Sequence, residues 1–425
     1  MKKINIMLVT HEPPCFGHGG SGNYLDLMVK YFLKRGHKVS IFLSNWGFLN
    51  NKIQKNSYNK LKRSGVTIKI INFQKENLFA KLKKILQIFF YPEKLYFKQS
   101  KLLTNELGIF CKKIKPNILF LYCGQSLQWA SKIKNIKKFC PLVELPYLNA
   151  KYWFSFALNN RFFYYTFKQR FFSLINLYIS FFAQKKLINL FKKIDFPAHV
   201  SYDYFNFFKR KGVNKIKYYN HPVEDLNKKY LQMRNASFKK NVKTKYKIIM
   251  TGKMSTITYL QYEYLQNKIL PEIEKNKFLK DKIEIRLLGS EKIKDFSLLY
   301  SKPYVNHLGY VKNFFDELIN SYIYLSPSPK PLGSRSRLNE GMAYGCCILA
   351  SKFDKEADPN LISNYNCLIA SDPRVYVKKI ELLIKNLKYR NLIRKNAIKT
   401  YNTKFKKDIA CSEYEDDILN ISNLS

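Results

Sequence analysis

The sequence predicts an α/β protein made of two doubly wound domains, each a parallel sheet with helices on both faces. Buried-strand candidates alternate with helical segments in two separate series, one starting near residue 3 and the other at Tyr246. The length of 425 residues also fits two comparable domains, each able to bury its own core. Alternation of this kind implies parallel strands joined by crossover helices.

The first series opens with the strand INIMLVT, which is followed by the helix NYLDLMVKYFLKRG and the strand HKVSIFLS. Gly36 is placed where it would end that helix. Three further buried strands are predicted at VTIKIINF, NILFLYCG and PLVELPY. The opening apolar run is too short for a signal peptide, and no segment reaches the roughly 18 apolar residues of a membrane span.

The second series repeats this alternation with the strands YKIIMTG, IEIRLLGS, VNHLGYV, YIYLSPS, CCILAS and NCLIA. A polar segment without a clear apolar period separates the two series. The predicted organisation is therefore a first domain over residues 1–225, a linker over 226–245, a second domain over 246–405 and a helical tail over 406–425. The acidic run EYEDD in that tail is predicted to lie on a solvated helix.

A net charge of +45 indicates either an anionic partner or simply a lysine-rich, solvated surface. Candidate partners are nucleic acid, an anionic membrane face or phosphorylated substrates. Nucleic acid is the least favoured, because no DNA-reading motif accompanies the charge. Residues 152–194 are unusually aromatic and flanked by basic residues, so this segment is either a buried helix or one that contacts a membrane surface.

The cysteines show no CxxC pairing and no spacing typical of zinc sites, and several lie in apolar runs. They are predicted to be reduced core residues in a reducing cytoplasm. No acidic pair follows a strand in a setting suited to a divalent cation, so no bound metal is expected. The eight cysteines are Cys15, Cys111, Cys123, Cys140, Cys346, Cys347, Cys367 and Cys411.

The first loop, GHGGSG, formally matches a dinucleotide-binding fingerprint through Gly17, Gly19 and Gly22. The loop is too long for that tight turn, and no acidic residue ends the second strand, so a nicotinamide site is not expected. A glycine loop that leads into a helix either exposes backbone N–H groups to a ligand or only serves its own turns.

The stretch PLGSRSRLNEGMAYGCCILAS, residues 331–351, carries the strongest signal for a ligand. Residues 328–337 are predicted as a loop and LNEGMAY as a short helix, so Arg335 and Arg337 lie where the helix begins. There they would add cationic groups to the positive end of the helix dipole, a suitable place for a diphosphate. Glu340 either complements the dipole or accepts hydrogen bonds from the two hydroxyls of a ribose.

Two further candidates stand near predicted strand ends. Lys253 follows the strand YKIIMTG, and ligands of open parallel sheets bind beyond the carboxyl ends of the strands. Glu144, at the end of PLVELPY, either faces a sugar or acceptor or is a structurally paired carboxylate of a buried strand.

The pattern from Gly333 to Ser351, G-x-R-x-R-x-x-E-G-M-A-x-G-x-x-x-x-A-S, resembles the donor-binding signature of retaining glycosyltransferases of family 4. The similar subgroup is written G-x-R-x-K-x-x-E-A-M-A-x-G, with Arg337 here in place of lysine. The segments TGKM, LLGS, HLGYV and NYNCLIA follow the order of the family through the second half. The opening strand with its glycine loop, and HVSYDYF through NHPVED, resemble the first half of the family.

This resemblance implies a GT-B architecture, in which two Rossmann-like doubly wound domains face each other across a cleft. It implies transfer of a sugar from a nucleotide donor with retained configuration and no obligatory metal or other cofactor. Donor-binding roles then fall to Glu340 at the ribose, to Lys253, Arg335 and Arg337 at the diphosphate, and to the Gly19 and Gly20 loop near the sugar. Glu340, Arg335 and Lys253 are also the predicted catalytic group.

Two positions depart from the family. Leu332 stands where the family carries an earlier glutamate, and Thr258 stands where a lysine is common. The first change removes a usual contact to the sugar. The second leaves the phosphate charge to fewer residues.

Together these inferences predict a cytoplasmic hexosyltransferase, soluble or peripheral on the inner face of the membrane. Its acceptor would be a glycan or lipid-linked molecule of surface polysaccharide or lipopolysaccharide biosynthesis. One alternative is a sugar-nucleotide epimerase or phosphorylase on the same fold. Another is a non-catalytic basic protein that binds membranes or nucleic acid.

Overall fold

The computed structural model describes residues 2–15, 20–45, 52–72, 88–97, 100–158, 167–238, 245–333 and 336–423. Contacts divide the chain into two compact units. The first unit comprises Met1–Val200, Tyr204–Tyr219 and Cys411–Ser425, and the second comprises Ser201–Asp203 and Asn220–Ala410.

The first unit is built on a parallel sheet. Its strands are β1 (Asn5–Thr10), β2 (Lys38–Asn45), β3 (Thr67–Asn72), β4 (Ile118–Tyr122), β5 (Lys137–Leu142), β6 (Phe196–His199) and β7 (Lys217–Tyr218). They lie in the order β3-β2-β1-β4-β5-β6-β7. β1 therefore pairs with both β2 and β4, and Leu8 lies opposite Ile41 on one side and Phe120 on the other.

Helices connect these strands. They are α1 (Gly20–Lys34), α2 (Lys52–Arg63), α3 (Pro92–Tyr96), α4 (Ser100–Ile114), α5 (Cys123–Ala130), α6 (Pro146–Leu158), α7 (Phe167–Phe191), α8 (Tyr202–Arg210) and the C-terminal α19 (Lys407–Asn423). α1 ends as predicted, since Gly36 adopts a φ of +84° that favours glycine.

Apolar residues cover both faces of this sheet, as a parallel sheet requires. All five residues of β4 are buried. On one face Phe120 packs in a cluster with residues of α1 and α19, such as Phe32 and Ile418. On the other face Leu119 packs in a cluster with residues of α4 and α7, such as Leu107 and Leu187.

The second unit has a six-stranded parallel sheet in the order β10-β9-β8-β11-β12-β13. The strands are β8 (Tyr246–Thr251), β9 (Ile283–Leu288), β10 (Val305–Gly309), β11 (Ile323–Ser326), β12 (Cys347–Ser351) and β13 (Cys367–Ala370). Each lies within a segment that the sequence predicted as a strand. The fold class of two doubly wound α/β units is therefore confirmed.

The helices of the second unit lie between its strands and at its C-terminal end. They are α9 (Lys228–Ser237), α10 (Thr256–Tyr264), α11 (Leu270–Glu274), α12 (Lys277–Lys282), α13 (Ser297–Tyr300), α14 (Phe314–Ile319), α15 (Ser336–Ala343), α16 (Lys352–Ala357), α17 (Pro373–Lys385) and α18 (Leu387–Thr400). Short π-helical turns at Leu265–Ile269 and Tyr401–Phe405 and a 3₁₀ turn at Lys294–Phe296 complete them. Within the described ranges, no helix has both the length and the apolar character needed to cross a membrane.

The predicted strand PLVELPY, residues 141–147, is misplaced. The strand at this position is β5, which starts at Lys137, and the chain enters α6 at Pro146. Lys137 and Lys138 suggest a loop, yet they pair with Ile118 and Leu119 of β4. Pro146 opens the helix because its fixed φ suits a first helical residue and it needs no hydrogen-bond partner.

The segment predicted as a linker contains a helix. Asn227 caps α9 by accepting a hydrogen bond from the Tyr230 backbone N–H at 3.0 Å. The buried Arg234 donates a hydrogen bond of 2.8 Å to the Ala343 carbonyl oxygen within the second unit. These specific polar contacts compensate for the weak apolar period that the sequence shows.

The acidic run in the C-terminal helix is solvated only in part: Glu413 and Asp416 are exposed, whereas Glu415 is buried. The side chain of Glu415 is only 1% exposed. It accepts hydrogen bonds from the Tyr31 hydroxyl at 2.8 Å and from Arg35 Nε at 2.9 Å, and its other oxygen lies 2.9 Å from His37 Nε2. The Ile4 backbone N–H donates to His37 Nδ1, so the proton lies on Nε2 and points to the carboxylate.

Burial raises the pKa of the Glu415 carboxyl, but the hydrogen bonds from His37, Tyr31 and Arg35 outweigh it and leave the pKa below its usual range. The folded-state pKa therefore lies below the unfolded value of about 4.3. The ionised carboxylate stabilises the fold above that pH, and this contribution is lost as the pH falls through the folded-state pKa.

Glu415→Gln should lower the unfolding free energy of the first unit by roughly 1–3 kcal/mol at pH 7, because it weakens buried hydrogen bonds to a charged group. All three tryptophans precede residue 200 in the sequence, and Trp129 and Trp153 belong to the first unit, so urea unfolding followed by tryptophan fluorescence measures it. The deficit should shrink below about pH 4 as the wild-type carboxylate is protonated. Glu413→Gln on the exposed side of the same helix is the control, and an equal loss in both variants would contradict the assignment.

Candidate functional site

The carboxyl ends of β8 and β11 form the candidate ligand edge of the second unit. The strand order reverses between these neighbours, because β9 and β10 lie on one side of β8 and β12 and β13 lie beyond β11. The connections after the two strands therefore leave in opposite directions and open a crevice at the edge of the sheet. Lys253 follows β8, and the chain after β11 leads into α15 with Arg337 and Glu340.

Three of the predicted donor-site residues thus stand at one sheet edge. Lys253 is exposed, whereas Arg337 and Glu340 are partly buried. Arg335 and Gly19 lie outside the described residues. Gly20 begins α1 in the first unit and Glu144 follows β5 there.

Arg337 and Glu340 form an ion pair in the first turns of α15, with 2.5 Å between Nη1 and Oε2. The guanidinium also lies over the Phe314 ring, 4.9 Å from its centroid. Burial lowers the pKa of Arg337, but the Glu340 carboxylate raises it above its ordinary value overall. A charged pair is therefore fixed near the positive end of a helix, and one ligand would meet both signs of charge.

Tyr324 of β11 connects this pair to the end of β8. Its hydroxyl is 2.7 Å from the hydroxyl of Thr251, two residues before Lys253. Burial raises the pKa of Tyr324, on which the charges of Arg337 and Glu340 also act. The Tyr324 hydroxyl thus contacts the last residue of β8, and its pKa responds to the ion pair of α15.

The pKa of His221 also depends on the charge of Arg337. Burial and, to a lesser extent, the charge of Arg337 lower the pKa of His221 to about 4, although a hydrogen bond to the Pro222 carbonyl oxygen acts in the opposite direction. The imidazole is therefore neutral at pH 7. No pattern in the sequence pointed to this histidine.

A buried polar network holds the ends of β11 and β12. Gln261 Nε2 donates to Ser326 Oγ at 3.1 Å and to Ser328 Oγ at 2.9 Å. Ser328 donates in turn to Asp354 Oδ1 at 3.0 Å, and Asp354 forms a capping box with Ser351 at the start of α16. Such satisfied networks fix the backbone from which a binding loop departs.

The turn after β8 explains one of the two departures from the family. Thr258, where a lysine is common, is buried, and its hydroxyl donates to the Lys253 carbonyl oxygen at 2.8 Å. A Cβ at Gly252 would lie 2.6 Å from that hydroxyl, so glycine is required for this close approach. Thr258 therefore stabilises the turn that carries Lys253.

The loop before α15 contains the other departure, Leu332. Leu332 is buried and offers no hydrogen bond from its side chain. The next residue, Gly333, has a φ of +79°, a conformation in which side chains other than glycine are strained. The first glycine of the signature is therefore needed for the course of the backbone.

A second group of polar residues lies at the equivalent edge of the first unit. The strand order there reverses between β1 and β4. His11 directly follows β1, Cys123 directly follows β4 and Glu144 comes two residues after β5. The prediction of Glu144 as a strand residue is thus wrong, because β5 has already ended at Leu142.

Close contacts connect this group. Cys123 Sγ lies 2.6 Å from His11 Nδ1, and Glu144 Oε2 accepts a hydrogen bond from the Gly124 backbone N–H at 2.9 Å. Burial raises the pKa of the Cys123 thiol, and the Glu144 carboxylate raises it further. His11 and Cys123 were not identified from the sequence, although each is the first residue after a buried strand.

Several solved structures share this fold. A glycosyltransferase from Rickettsia africae is 15% identical over 100% of both chains, with a TM-score of 0.64. Sucrose-phosphate synthase from Thermosynechococcus elongatus is 12% identical over 100% of both chains, with a TM-score of 0.66. Anabaena HepE in complex with UDP is 11% identical over 99% of this chain and 100% of its own, with a TM-score of 0.63. No protein-family model and no curated protein matches the sequence.

These similarities show the fold. The chain has the GT-B type of architecture, with two Rossmann-like units that carry seven and six parallel strands.

Proposed function

We propose that the protein is a retaining hexosyltransferase, of the type found in glycosyltransferase family 4, which transfers a sugar from a nucleotide-diphosphate donor. The observation that carries the proposal is the position of Lys253, Arg337 and Glu340 at the strand-order reversal of the second unit. That edge is where open α/β sheets bind nucleotides. Support also comes from the solved HepE complexes with UDP and with UDP-glucose, which share this fold.

In this proposal the charges of the site have separate tasks. Glu340 accepts hydrogen bonds from the ribose hydroxyls, and Arg337, Arg335 and Lys253 bind the diphosphate. Cleavage of the sugar–phosphate bond leaves negative charge on the diphosphate while positive charge develops on the sugar ring. Fixed cations around the leaving group stabilise that transition state, so the diphosphate requires no metal ion.

Donor binding must rearrange the ion pair between Arg337 and Glu340. In the structure the two side chains neutralise each other. In the proposed donor complex, Arg337 binds phosphate and Glu340 binds the ribose. Because both are still partly exposed, the exchange of partners does not strand a fully buried charge.

Glu340→Gln should weaken donor binding about 10- to 100-fold, since it weakens hydrogen bonds made to a charged acceptor. The donor is first chosen as the nucleotide sugar that raises the melting temperature most, because a ligand bound only by the folded state stabilises it. Affinity is then measured by calorimetric titration.

Asp281→Asn is the matched control for Glu340→Gln. Asp281 is exposed at the end of α12, immediately before β9, and so lies at the opposite edge of the same sheet. Equal affinity in the wild type and both variants would remove the assignment of Glu340.

Lys253→Met should lower kcat/KM about 100-fold or more, because it removes a cation from the leaving group while keeping the length of the side chain. The readout is release of the nucleoside diphosphate from the selected donor, with water or a glycan acceptor as the nucleophile. Lys282→Met, exposed just before β9, should leave the rate unchanged. A product that retains both sugar and nucleotide would instead indicate an epimerase.

We also propose that α7 of the first unit contacts an anionic membrane surface at the cytoplasmic side, where a lipid-linked or surface-glycan acceptor would be met. Ala183, Leu187 and Phe191 anchor the C-terminal half of α7 in the core. The other half presents large exposed apolar side chains. They are Phe171, Phe172, Leu174, Tyr178 and Phe181.

Neighbouring segments add further apolar and basic groups to this surface. α3 packs against α7, and just before it Phe89 and Phe90 are 70% and 73% exposed. A groove of about 300 Å³ beside α7 is lined by three lysines and one acidic residue; the lining residues are Glu93, Phe182, Lys185, Lys186, Asn189, Leu190 and Lys193. Exposed aromatics beside lysines suit the boundary between lipid headgroups and acyl chains.

The double variant Phe171→Ser and Phe172→Ser should bind vesicles of phosphatidylcholine with phosphatidylglycerol at least about tenfold more weakly than the wild type, because two apolar anchors are removed. Sedimentation with the vesicles measures the bound fraction. Leu298→Ser removes an equally exposed apolar side chain from the second unit and should have no effect. Wild-type protein that does not sediment, or an unchanged double variant, would contradict this surface.

A further inference from the structure

His11, Cys123 and Glu144 bring together three ligand types that the proposed donor chemistry does not use. One imidazole nitrogen, one sulfur and one carboxylate oxygen lie within 4.8 Å of one another. They come from three neighbouring strands, β1, β4 and β5, whose carboxyl ends meet at the same sheet edge. This spacing brings all three atoms within reach of a single small cation.

The donor set selects the kind of cation. Thiolate sulfur and imidazole nitrogen suit zinc and other borderline-soft transition metals, whereas Mg²⁺ and Ca²⁺ prefer oxygen ligands throughout. Three protein ligands also match zinc sites that keep a fourth position for water or an oxygen of a bound molecule. We expected no bound metal from the sequence because it contains no suitable pair of carboxylates and no regular cysteine spacing.

Cys123 adopts a backbone conformation that favours a functional role. Its φ is +75°, although it is not a glycine. Such conformations are strained and concentrate at ligand clamps and active sites. Here the strain turns the chain from β4 directly into α5 and places the sulfur beside His11.

Two backbone donors lie at the sulfur of Cys123. Cys123 begins α5, and the backbone N–H groups of Gln125 and Ser126 hydrogen-bond to its sulfur. The side chain is fully buried, which disfavours attack on an external substrate, and all eight cysteines are free thiols.

The outer contacts orient the other two ligands. The Gly124 N–H donates to Glu144 Oε2 and so fixes the carboxylate. His11 Nε2 lies 3.8 Å from Glu12 Oε1, so Nδ1 faces Cys123 while Nε2 faces a carboxylate. Metal-bound histidines commonly have a carboxylate on the side of the second nitrogen.

We propose that His11, Cys123 and Glu144 form a Zn²⁺ site with three protein ligands and a fourth position for an oxygen ligand. Two ligand atoms of one tetrahedral zinc ion are about 3.5 Å apart. The His11 ring, whose side chain is 22% exposed, moves back from the present 2.6 Å separation to admit the ion. The site lies in the first unit and does not depend on the proposed donor site.

The test uses the full-length protein without an affinity tag, treated with a chelator and then freed of it. Titration with Co²⁺ should give one equivalent of bound ion with a thiolate-to-cobalt charge-transfer band in the near ultraviolet, and Zn²⁺ should displace it. Cys123→Ser should lose the band and weaken zinc binding at least about tenfold. Cys111→Ser, another buried cysteine of the first unit, should keep both.

His11→Ala provides a second variant, because His11 is partly exposed and its replacement should leave the fold intact. Weakened zinc binding in both Cys123→Ser and His11→Ala, with tryptophan fluorescence of the folded protein unchanged, supports the site. Absence of a thiolate–cobalt band in the wild type, or unaltered zinc affinity in both variants, overturns it.

Discussion

The common direction of the strands is the constraint on which the rest of this molecule depends. In a parallel sheet every strand ends at the same edge, so residues far apart in the sequence meet there without any local sequence motif. Reversal of the strand order between β1 and β4, and again between β8 and β11, then moves the following connections apart. In the described parts of both units, the residues implicated in ligand chemistry follow a strand end at this edge or lie in the first turns of the next helix.

The two sheet edges share this topology but differ in chemistry. The edge of the second unit presents lysine, arginine and a paired carboxylate, which suits a sugar nucleotide. The edge of the first unit presents sulfur, imidazole and carboxylate within a few ångströms, which suits a small cation. Acidic residues are scarce in a chain with 75 basic and 30 acidic side chains, and buried ones such as Glu415 and Asp354 form specific internal contacts.

Much of the fold could be predicted from the sequence because buried parallel strands are nearly continuous apolar runs and their helices have a clear period. The predictions of strand position and of burial failed at two segments rich in charged residues. Lys137 and Lys138 made the start of β5 resemble a loop. The acidic run made the buried position of Glu415 resemble an exposed one. In both places a tertiary partner, strand β4 or the residues around His37, compensates for a polar side chain that local patterns assign to solvent.

The candidate site was predictable to the extent that it is local in the sequence. Arg337 and Glu340 belong to one short pattern on one helix, so their neighbourhood follows from helical spacing. The approach of His11 to Cys123 spans more than a hundred residues and depends on which strands are adjacent. Unless the strand order is known, the sequence does not distinguish His11 from an ordinary histidine or Cys123 from an ordinary core cysteine.

The central claim is that the edge formed by β8, β11 and α15 binds the nucleotide of a sugar donor. Hydrogen exchange followed by mass spectrometry, with and without the nucleotide sugar that most raises the melting temperature, tests it most directly. The account predicts slower amide exchange in residues 251–256 and 333–341 on donor binding, with no comparable change at the amino ends of the same strands. Protection confined to other parts of the chain, or no protection by any nucleotide sugar, would contradict it.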